Sequence, residues 1–318
     1  MTHSFVKFFC LASGLLAAGS ELSAAGYGFD VLEAPTAHAD NRAQAQLTGA
    51  NGTWMRVRGL AEPGSGGPRT VEVDREGLRK LRTQGIKTAV LLRWGPADWK
   101  SGVRSGGGQR VPQDLREAFE RGRTLGKTYG DLVDAWEIEN EPDISFVAEN
   151  PEVYAAFHKA CYLGVHAGIA ECLESRAESS AQSSLRGTDG PRLRYPVHAA
   201  DPGRLSLSLS GAQSGMDGQN FSPRVLMAPL ALPPGPYLER LWSNGLASYT
   251  DGFNYHYYGY AEDFTGVYRQ FENAVEQLSR VDAASCRGAG LPTWSGKSPR
   301  SSRRDRWRLF SILTTREI

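Results

Sequence analysis

Apolar and polar positions along this chain follow two patterns, one typical of buried parallel strands and one typical of amphipathic helices. Lys87–Arg93 is a nearly continuous apolar run, as expected of a parallel strand that is covered on both faces. Asp74–Gln84 has Leu78 and Leu81 three residues apart and is followed by Gly85, a common helix stop. The succession of such segments predicts βαβ units and a parallel sheet.

The remaining segments continue this alternation. Further strands are predicted at Asn51–Val57, Leu132–Ile138, Arg224–Leu230 and Gly252–Tyr257, with Gly26–Leu32 as a contributor and a last one beginning at Leu291–Trp294. Further helices are predicted at Pro112–Gly126, Pro151–Cys172, Pro236–Asn244 and Gly266–Val281. No glycine-rich phosphate loop follows the first strand, which disfavours a dinucleotide-binding fold. We predict an α/β fold of the (β/α)₈ TIM-barrel class, incomplete at the C-terminus because only about seven strands are found.

The first 25 residues predict an export signal. Lys7 supplies a positive charge, Phe8–Ala18 is apolar, and the small residues at 23–25 suit cleavage before Gly26. The apolar run is too short to span a bilayer, and a buried first strand is the alternative interpretation. We therefore expect a secreted or periplasmic protein that is not held in a membrane after cleavage.

Composition divides the rest of the chain. The formal net charge is +1, so there is no overall basic footprint for nucleic acid or a membrane surface. A barrel domain is predicted over 26–294, interrupted by a Ser-, Gly-, Arg- and Asp-rich insertion at about 174–222 that lacks periodicity and is expected to be partly disordered. Residues 295–318 form a basic tail, since Lys297–Arg308 holds six basic residues and one acidic residue.

The strongest chemical signal is at residues 136–143, Trp-Glu-Ile-Glu-Asn-Glu-Pro-Asp, where a predicted strand ends. Pro142 forces the chain out of the sheet, and period-two geometry predicts one shared face for Glu137, Glu139 and Glu141. The carboxyl ends of barrel strands form the floor of the active site, where a carboxyl group can act as a general acid. A simple turn with solvated carboxylates is the alternative.

Asn140-Glu141-Pro142 after a strand resembles the acid/base motif of glycoside hydrolase clan A, the retaining β-glycosidases built on (β/α)₈ barrels. The resemblance implies that Glu141 is the general acid/base and that Asn140 hydrogen-bonds the sugar 2-hydroxyl. It implies double-displacement cleavage of β-glycosidic bonds in oligo- or polysaccharides. It also implies a carbohydrate substrate, no nucleic acid partner, and neither a metal nor an organic cofactor.

Residues 251–258, Asp-Gly-Phe-Asn-Tyr-His-Tyr-Tyr, resemble strand six of the same clan. There a His-x-Tyr pair lines the sugar site and touches the nucleophile, and His256 and Tyr258 fit that pair. The two side chains are two residues apart and so share one strand face. Aromatic side chains at a strand end suit a sugar, because ring faces stack on pyranose C–H faces.

Weaker matches complete the resemblance, which covers about residues 26–294. Arg56 lies in a strand similar to strand two, where the clan often carries an arginine near the nucleophile, and Arg58 is an equally suitable occupant. Trp94 follows the third strand and could form a pocket wall. A structural role is the alternative for each of these residues.

One part of the clan pattern is missing. A retaining glycosidase needs a second carboxylate about 5–5.5 Å from the first. The clan carries it at the end of strand seven in a pattern like Leu-Pro-x-Trp-x-x-Glu, whereas residues 291–297 read Leu-Pro-Thr-Trp-Ser-Gly-Lys. Either Lys297 occupies the position of the nucleophile or a few residues have been lost. An ammonium group would repel the oxocarbenium-like transition state, so no nucleophile is identifiable.

Three hypotheses remain. The first is a β-glycoside hydrolase, by ancestry if not by activity. The second is an inactive carbohydrate-binding pseudoenzyme or gene fragment, with a frame slip or truncation near Ser295 that removes strand eight and its helix. The third is an unrelated exported α/β protein in which Asn-Glu-Pro occurs by chance. The hydrolase hypothesis requires Glu141 and His256 to lie at the same barrel mouth.

Overall fold

The structure is a computed structural model of the 318-residue chain. It describes residues 54–62, 72–104, 111–144, 150–179, 223–257, 263 and 265–280 in full. For residues 7–10, 27–30, 180–186, 264, 281–288 and 308–313 it describes the backbone of a strand or helix.

Within these residues the chain forms one sheet of eight strands in sequence order. The strands are β1 (Lys7–Cys10), β2 (Tyr27–Asp30), β3 (Trp54–Val57), β4 (Lys87–Leu92), β5 (Ala135–Ile138), β6 (Arg224–Met227), β7 (Gly252–Tyr257) and β8 (Arg308–Leu313). The first pair is antiparallel and every later pair is parallel. The five strands β3 to β7 make a curled parallel half-barrel, which is compatible with an incomplete TIM-like barrel.

Helices alternate with the parallel strands, which confirms the predicted βαβ units. They are α1 (Arg75–Thr83), α2 (Leu115–Tyr129), α3 (Pro151–Arg186), α4 (Pro236–Ser243) and α5 (Phe264–Gly288). Side chains cap three of their starts: Asp74 accepts from the amide of Gly77, Asp114 from that of Arg116, and Asn150 from that of Val153. Such caps satisfy amide groups that the first helical turn leaves without a partner.

Side chains on successive strand positions point to opposite faces of the sheet. One face packs in the main hydrophobic core with the helices and includes Met55, Val57, Val90, Leu92, Trp136, Ile138, Val225 and Met227. The other face has its own small cluster of Ala89, Ala135 and Leu226, with Trp54 packed against it. Residues that alternate with the first group, such as Arg56 and Glu137, therefore project into the half-barrel.

Close packing of α2 on α3 depends on glycine. A Cβ atom on Gly126 would meet the carbonyl oxygen of Val165, and one on Gly164 would meet that of Phe119. A Cβ on Gly168 would likewise meet the carbonyl oxygen of Arg123. The two helices thus pack backbone against backbone, with no room for a larger side chain at these positions.

The irregular insertion was predicted to begin at about residue 174, which is before the end of the preceding helix in the structure. Helix α3 continues to Arg186, so residues 174–186 are helical. No glycine or proline occurs between Glu174 and Arg186, and Ala, Glu, Gln and Arg support helix formation. Residues 187–222 of the insertion lie outside the described residues.

Both ends of the chain contribute strands. β1 lies within the predicted export signal and pairs with β2 from Lys7 with Asp30 to Cys10 with Tyr27. β8 lies in the basic tail and pairs with β7. The sequence pattern did not predict a strand there. The tail's overall basic composition hid the apolar run Leu-Phe-Ser-Ile-Leu at 309–313. The strand predicted at Leu291–Trp294 lies outside the described residues.

No helix in the described part of the chain is long and apolar enough to cross a membrane.

Candidate functional site

Polar side chains are buried inside the half-barrel, near or beyond the carboxyl ends of three strands. They are Arg56 on β3, Glu137 on β5, Asn140 and Glu141 just after β5, and Asn254 and His256 on β7. Each is at most 9% exposed. Burial of this many polar and charged groups is costly unless they bond to one another, so their contacts define the site.

Glu141 and His256 are in direct contact. Nδ1 of His256 forms a short hydrogen bond with Oε1 of Glu141, and the two residues are 7% and 2% exposed. The contact joins the turn after β5 to the last residues of β7. The structure therefore brings together the two strand ends that the hydrolase hypothesis requires to meet. The resemblance placed the histidine against the nucleophile, whereas here it contacts the predicted acid/base.

The backbone after β5 turns sharply. Glu139 and Glu141 both have positive φ, at 68° and 47°, in the left-handed region that non-glycine residues seldom adopt. The turn is held by the Glu139 amide, which donates to Leu92 O over 2.9 Å, and by the Glu141 amide, which donates to Pro229 O over 3.0 Å. Strain of this kind costs on the order of 1–3 kcal/mol per residue and is typical of functional sites.

This turn separates the three carboxylates. Period-two geometry applies only as far as Ile138, where β5 ends. Glu139 turns towards β4, where its Oε1 accepts from the amide of Trp94 over 3.0 Å. Glu141 turns towards His256, and Glu137 bonds elsewhere, so the three side chains have different partners instead of forming one row.

Glu137 and Arg56 form a buried ion pair. Nε of Arg56 lies 2.7 Å from Oε2 of Glu137, and Oε1 of Glu137 accepts from Nδ2 of Asn254, also over 2.7 Å. A further guanidinium nitrogen of Arg56, Nη2, donates to Oδ1 of Asn140 over 3.2 Å. The network links β3, β5 and β7 across the interior, below the Glu141–His256 contact.

The surroundings of His256 favour its neutral form. Burial lowers the pKa of His256 below its ordinary value, the hydrogen bond with Glu141 opposes this, and the nearby Arg56 charge lowers the pKa further. A neutral imidazole carries one N–H group, so Nδ1 either donates to ionised Glu141 or accepts from its protonated form. The direction of this hydrogen bond therefore depends on the tautomer of the His256 ring.

Two side chains that the sequence analysis did not single out fix the surrounding loops. Asp143 accepts from the amide of Ala231 over 2.9 Å and from that of Leu232 over 2.7 Å, which ties the turn after β5 to the loop after β6. Burial raises the pKa of the Asp143 carboxyl group, while these amides oppose the rise. The hydroxyl of Tyr154 on α3 bonds to the backbone at the ends of β5 and β6. Asp143 could have been suspected because it directly follows the motif.

Trp94 lies in the helix layer. Its ring centroid is 5.5 Å from that of Trp99 and 6.0 Å from that of Phe157, and the Arg121 guanidinium lies 5.6 Å from it. Its role as a pocket wall stays a prediction.

The two candidate arginines on and after β3 face different surroundings. Arg56 belongs to the buried network, whereas Arg58 lines a small, separate depression together with Trp94 and Arg121. The structure therefore connects Arg56 to Asn140 of the motif, and the choice between the two arginines stays a prediction. Tyr258 and Lys297 lie outside the described residues, so their predicted places are untested.

Among the side chains that the structure describes, no group of three or more His, Cys, Asp or Glu residues could hold a metal ion. Cys161 and Cys172 are buried and form no disulfide bond.

The fold and the site define an α/β protein with a curled parallel half-barrel and a buried polar cluster at the strand ends. No protein-family model matches the chain, and no curated protein matches it. Weak structural neighbours include N2152 from Neocallimastix frontalis, at 13% identity and a TM-score of 0.39, over 72% of this chain and 43% of that one. They also include the virulence factor SghA in complex with its substrate analogue salicin, at 12% identity and a TM-score of 0.30, over 68% of this chain and 51% of that one. The chain thus spans about half the length of these proteins, or less.

Proposed function

We propose that the buried cluster is the sugar-binding and acid/base site of a glycoside hydrolase acting on β-glycosidic bonds of oligo- or polysaccharides. Glu141 is the general acid/base in this proposal, and Asn140 orients the sugar. The observation that carries it is the contact between Glu141 and His256 across the ends of β5 and β7.

The chemistry of the pair supports this role. Glycosidic bond cleavage requires a carboxyl group that protonates the leaving oxygen. A carboxyl group that is hydrogen-bonded to an imidazole at a strand end is placed to give a proton to the leaving oxygen and to take one back. Asn140 and Arg56 add hydrogen-bond donors beside it, which suits recognition of sugar hydroxyl groups.

The nucleophile is the open part of the mechanism. The two other glutamates of residues 136–143 already have partners in the structure. Glu137 is engaged by Arg56 and Asn254, and Glu139 by the amide of Trp94. By the resemblance, either Lys297 takes the place of the second carboxylate or the residues that carried it have been lost. This favours a second candidate, a carbohydrate-binding protein without turnover. In both cases the chain binds sugar, and unassisted hydrolysis is slow.

An external nucleophile separates the two candidates. The full chain is incubated with 4-nitrophenyl β-glucoside, β-xyloside, β-galactoside and β-mannoside, with and without sodium azide. Azide attacks C1 from the face opposite the leaving group, the C1–O bond breaks, and the Glu141 carboxyl proton moves to the phenolic oxygen. The products are 4-nitrophenol and the α-glycosyl azide. We expect azide-dependent release with at least one of these probes.

A Glu141→Gln variant removes the proton donor and should lower the azide-dependent rate about 100-fold. Glu239→Gln on the exposed surface of α4 is the matched control and should leave the rate unchanged. Sugar binding by calorimetry without any turnover selects the binding protein. The proposal fails if the chain neither binds these probes nor releases 4-nitrophenol from them.

A further inference from the structure

Glu137 is a fully buried carboxylate of the site, and it lies on β5 before the turn that carries Asn140 and Glu141. Its residue is 0% exposed, and both carboxylate oxygens accept hydrogen bonds. One donor comes from β3 and the other from β7. In a barrel, interior layers are built by side chains of alternate strands, and Arg56, Glu137 and Asn254 follow that rule on β3, β5 and β7.

The arrangement balances charge where water is excluded. Arg56 is 1% exposed, so its guanidinium group needs a nearby anion to stay buried. Glu137 supplies that anion from within the layer.

Arg56 in turn fixes the amide of Asn140. The guanidinium group is planar and rigid, so binding of its Nε to Glu137 also sets the direction of Nη2. Nη2 donates to Oδ1 of Asn140, since a guanidinium group can only donate. The carbonyl arm of the Asn140 amide consequently faces Arg56, and its NH₂ arm points away from Arg56.

We infer that Glu137 is a positioning residue of the sugar site. It acts through Arg56 to hold Asn140 so that the amide N–H groups, and not the carbonyl oxygen, meet an acceptor oxygen on the ligand. This rests on the proposed function for the identity of the ligand, but the orientation of Asn140 depends only on the network.

The first experiment needs no ligand. Side-chain amide signals of Asn140 and the Nε–H signal of Arg56 are recorded by ¹⁵N NMR in the wild-type chain and in Glu137→Gln. Glutamine keeps the shape but has only one acceptor arm, so it cannot accept from both Arg56 and Asn254. We expect both sets of signals to move. Glu152→Gln is the matched control. It breaks an exposed ion pair between Glu152 on α3 and Arg240 on α4, so it should move neither the Asn140 signals nor the Arg56 signal.

The second experiment uses a double-mutant cycle. Affinities are measured for the best-bound 4-nitrophenyl β-glycoside of the four named above and for its 2-deoxy analogue. Glu137→Gln should weaken binding of the parent sugar about tenfold, as expected for one lost hydrogen bond, and change binding of the 2-deoxy analogue less than about twofold. In an Asn140→Ala background the same substitution should have no further selective effect.

Equal losses for both sugars, or unchanged Asn140 signals, would overturn the inference in favour of a purely structural role. If the Asn140 signals shift in Glu137→Gln but the wild-type chain binds none of the probes, the proposed function is overturned. The orientation of Asn140 by Glu137 would then still stand. If Glu137→Gln does not fold, Arg56→Lys provides the second variant. It keeps the charge but loses the planar link, so it should move the same Asn140 signals.

Discussion

The hydroxyl group of Tyr154 donates a hydrogen bond over 2.9 Å to the carbonyl oxygen of Ile138, the last residue of β5. The same hydroxyl accepts from the amide of Ala228 over 2.8 Å, just after β6. One side chain of α3 thus completes the backbone hydrogen bonding of two neighbouring strand ends, immediately before the turn that carries Glu141. Helix α3, as well as the sheet, therefore fixes the backbone that carries the site.

We predict that Tyr154→Phe lowers the free energy of unfolding by about 1–3 kcal/mol, because it leaves a buried carbonyl and a buried amide without their partner. Urea denaturation measures this loss. Tyr162→Phe is the control, since its hydroxyl donates over 3.1 Å to Asp251, which His166 and the Val225 amide also bind. Its loss should be smaller, and a larger loss in the control would contradict the bridging role of Tyr154.

A second prediction concerns acid stability. Burial lowers the pKa of His158 from 6.5 to about 4 in the folded chain. The unfolded chain therefore binds a proton at a higher pH than the folded chain does. The stabilisation that depends on neutral His158 is present above about pH 6.5 and is lost as the pH falls towards about 4.

Stability measured by denaturation across this range should fall more steeply in the wild-type chain than in His158→Gln. The difference is on the order of 3 kcal/mol. Glutamine suits the comparison because its amide can still donate to Tyr249 O, which His158 Nε2 contacts over 2.9 Å. Parallel curves for the two proteins would show that His158 titrates normally.

A third prediction tests the contact between α2 and α3. Gly126→Ala should destabilise the chain by about 1–3 kcal/mol, because the added Cβ meets the backbone of Val165. Gly266→Ala on α5 is the matched control, since a Cβ there has nothing within 4 Å. That variant should gain up to about 1 kcal/mol from helix propensity. Thermal unfolding of both variants gives the comparison, and a stable Gly126→Ala would contradict the close packing.

A fourth prediction concerns export. Expressed with its full N-terminus in a bacterial host, the chain should be recovered outside the cytoplasm with Gly26 as its first residue. Mass spectrometry of the purified protein measures this. Cleavage would remove β1 and leave β2 without its antiparallel partner. Full-length protein in the cytoplasm would instead favour β1 as a permanent strand.

Local pattern predicted the order of strands and helices well, because apolar periodicity reports which face of each segment is buried. Prediction was wrong where a long segment was judged by its overall composition, because that composition concealed a shorter helix or strand within it. Residues 174–186 were placed in a Ser-rich insertion although they contain no helix breaker, and Arg308–Leu313 was hidden within a basic tail. The pattern also placed Glu137, Glu139 and Glu141 in one row, because nothing local shows that the backbone leaves strand geometry after Ile138.

The sequence by itself determined the parallel α/β architecture, and its two motifs indicated that Glu141 and His256 belong together. Only the tertiary structure decided that Arg56 enters the buried network, that Glu137 bonds to both β3 and β7, and that the Trp94 ring packs among the helices. The reason is physical. Which strand ends become neighbours depends on the curl and register of the sheet, and those depend on contacts between residues far apart in the chain.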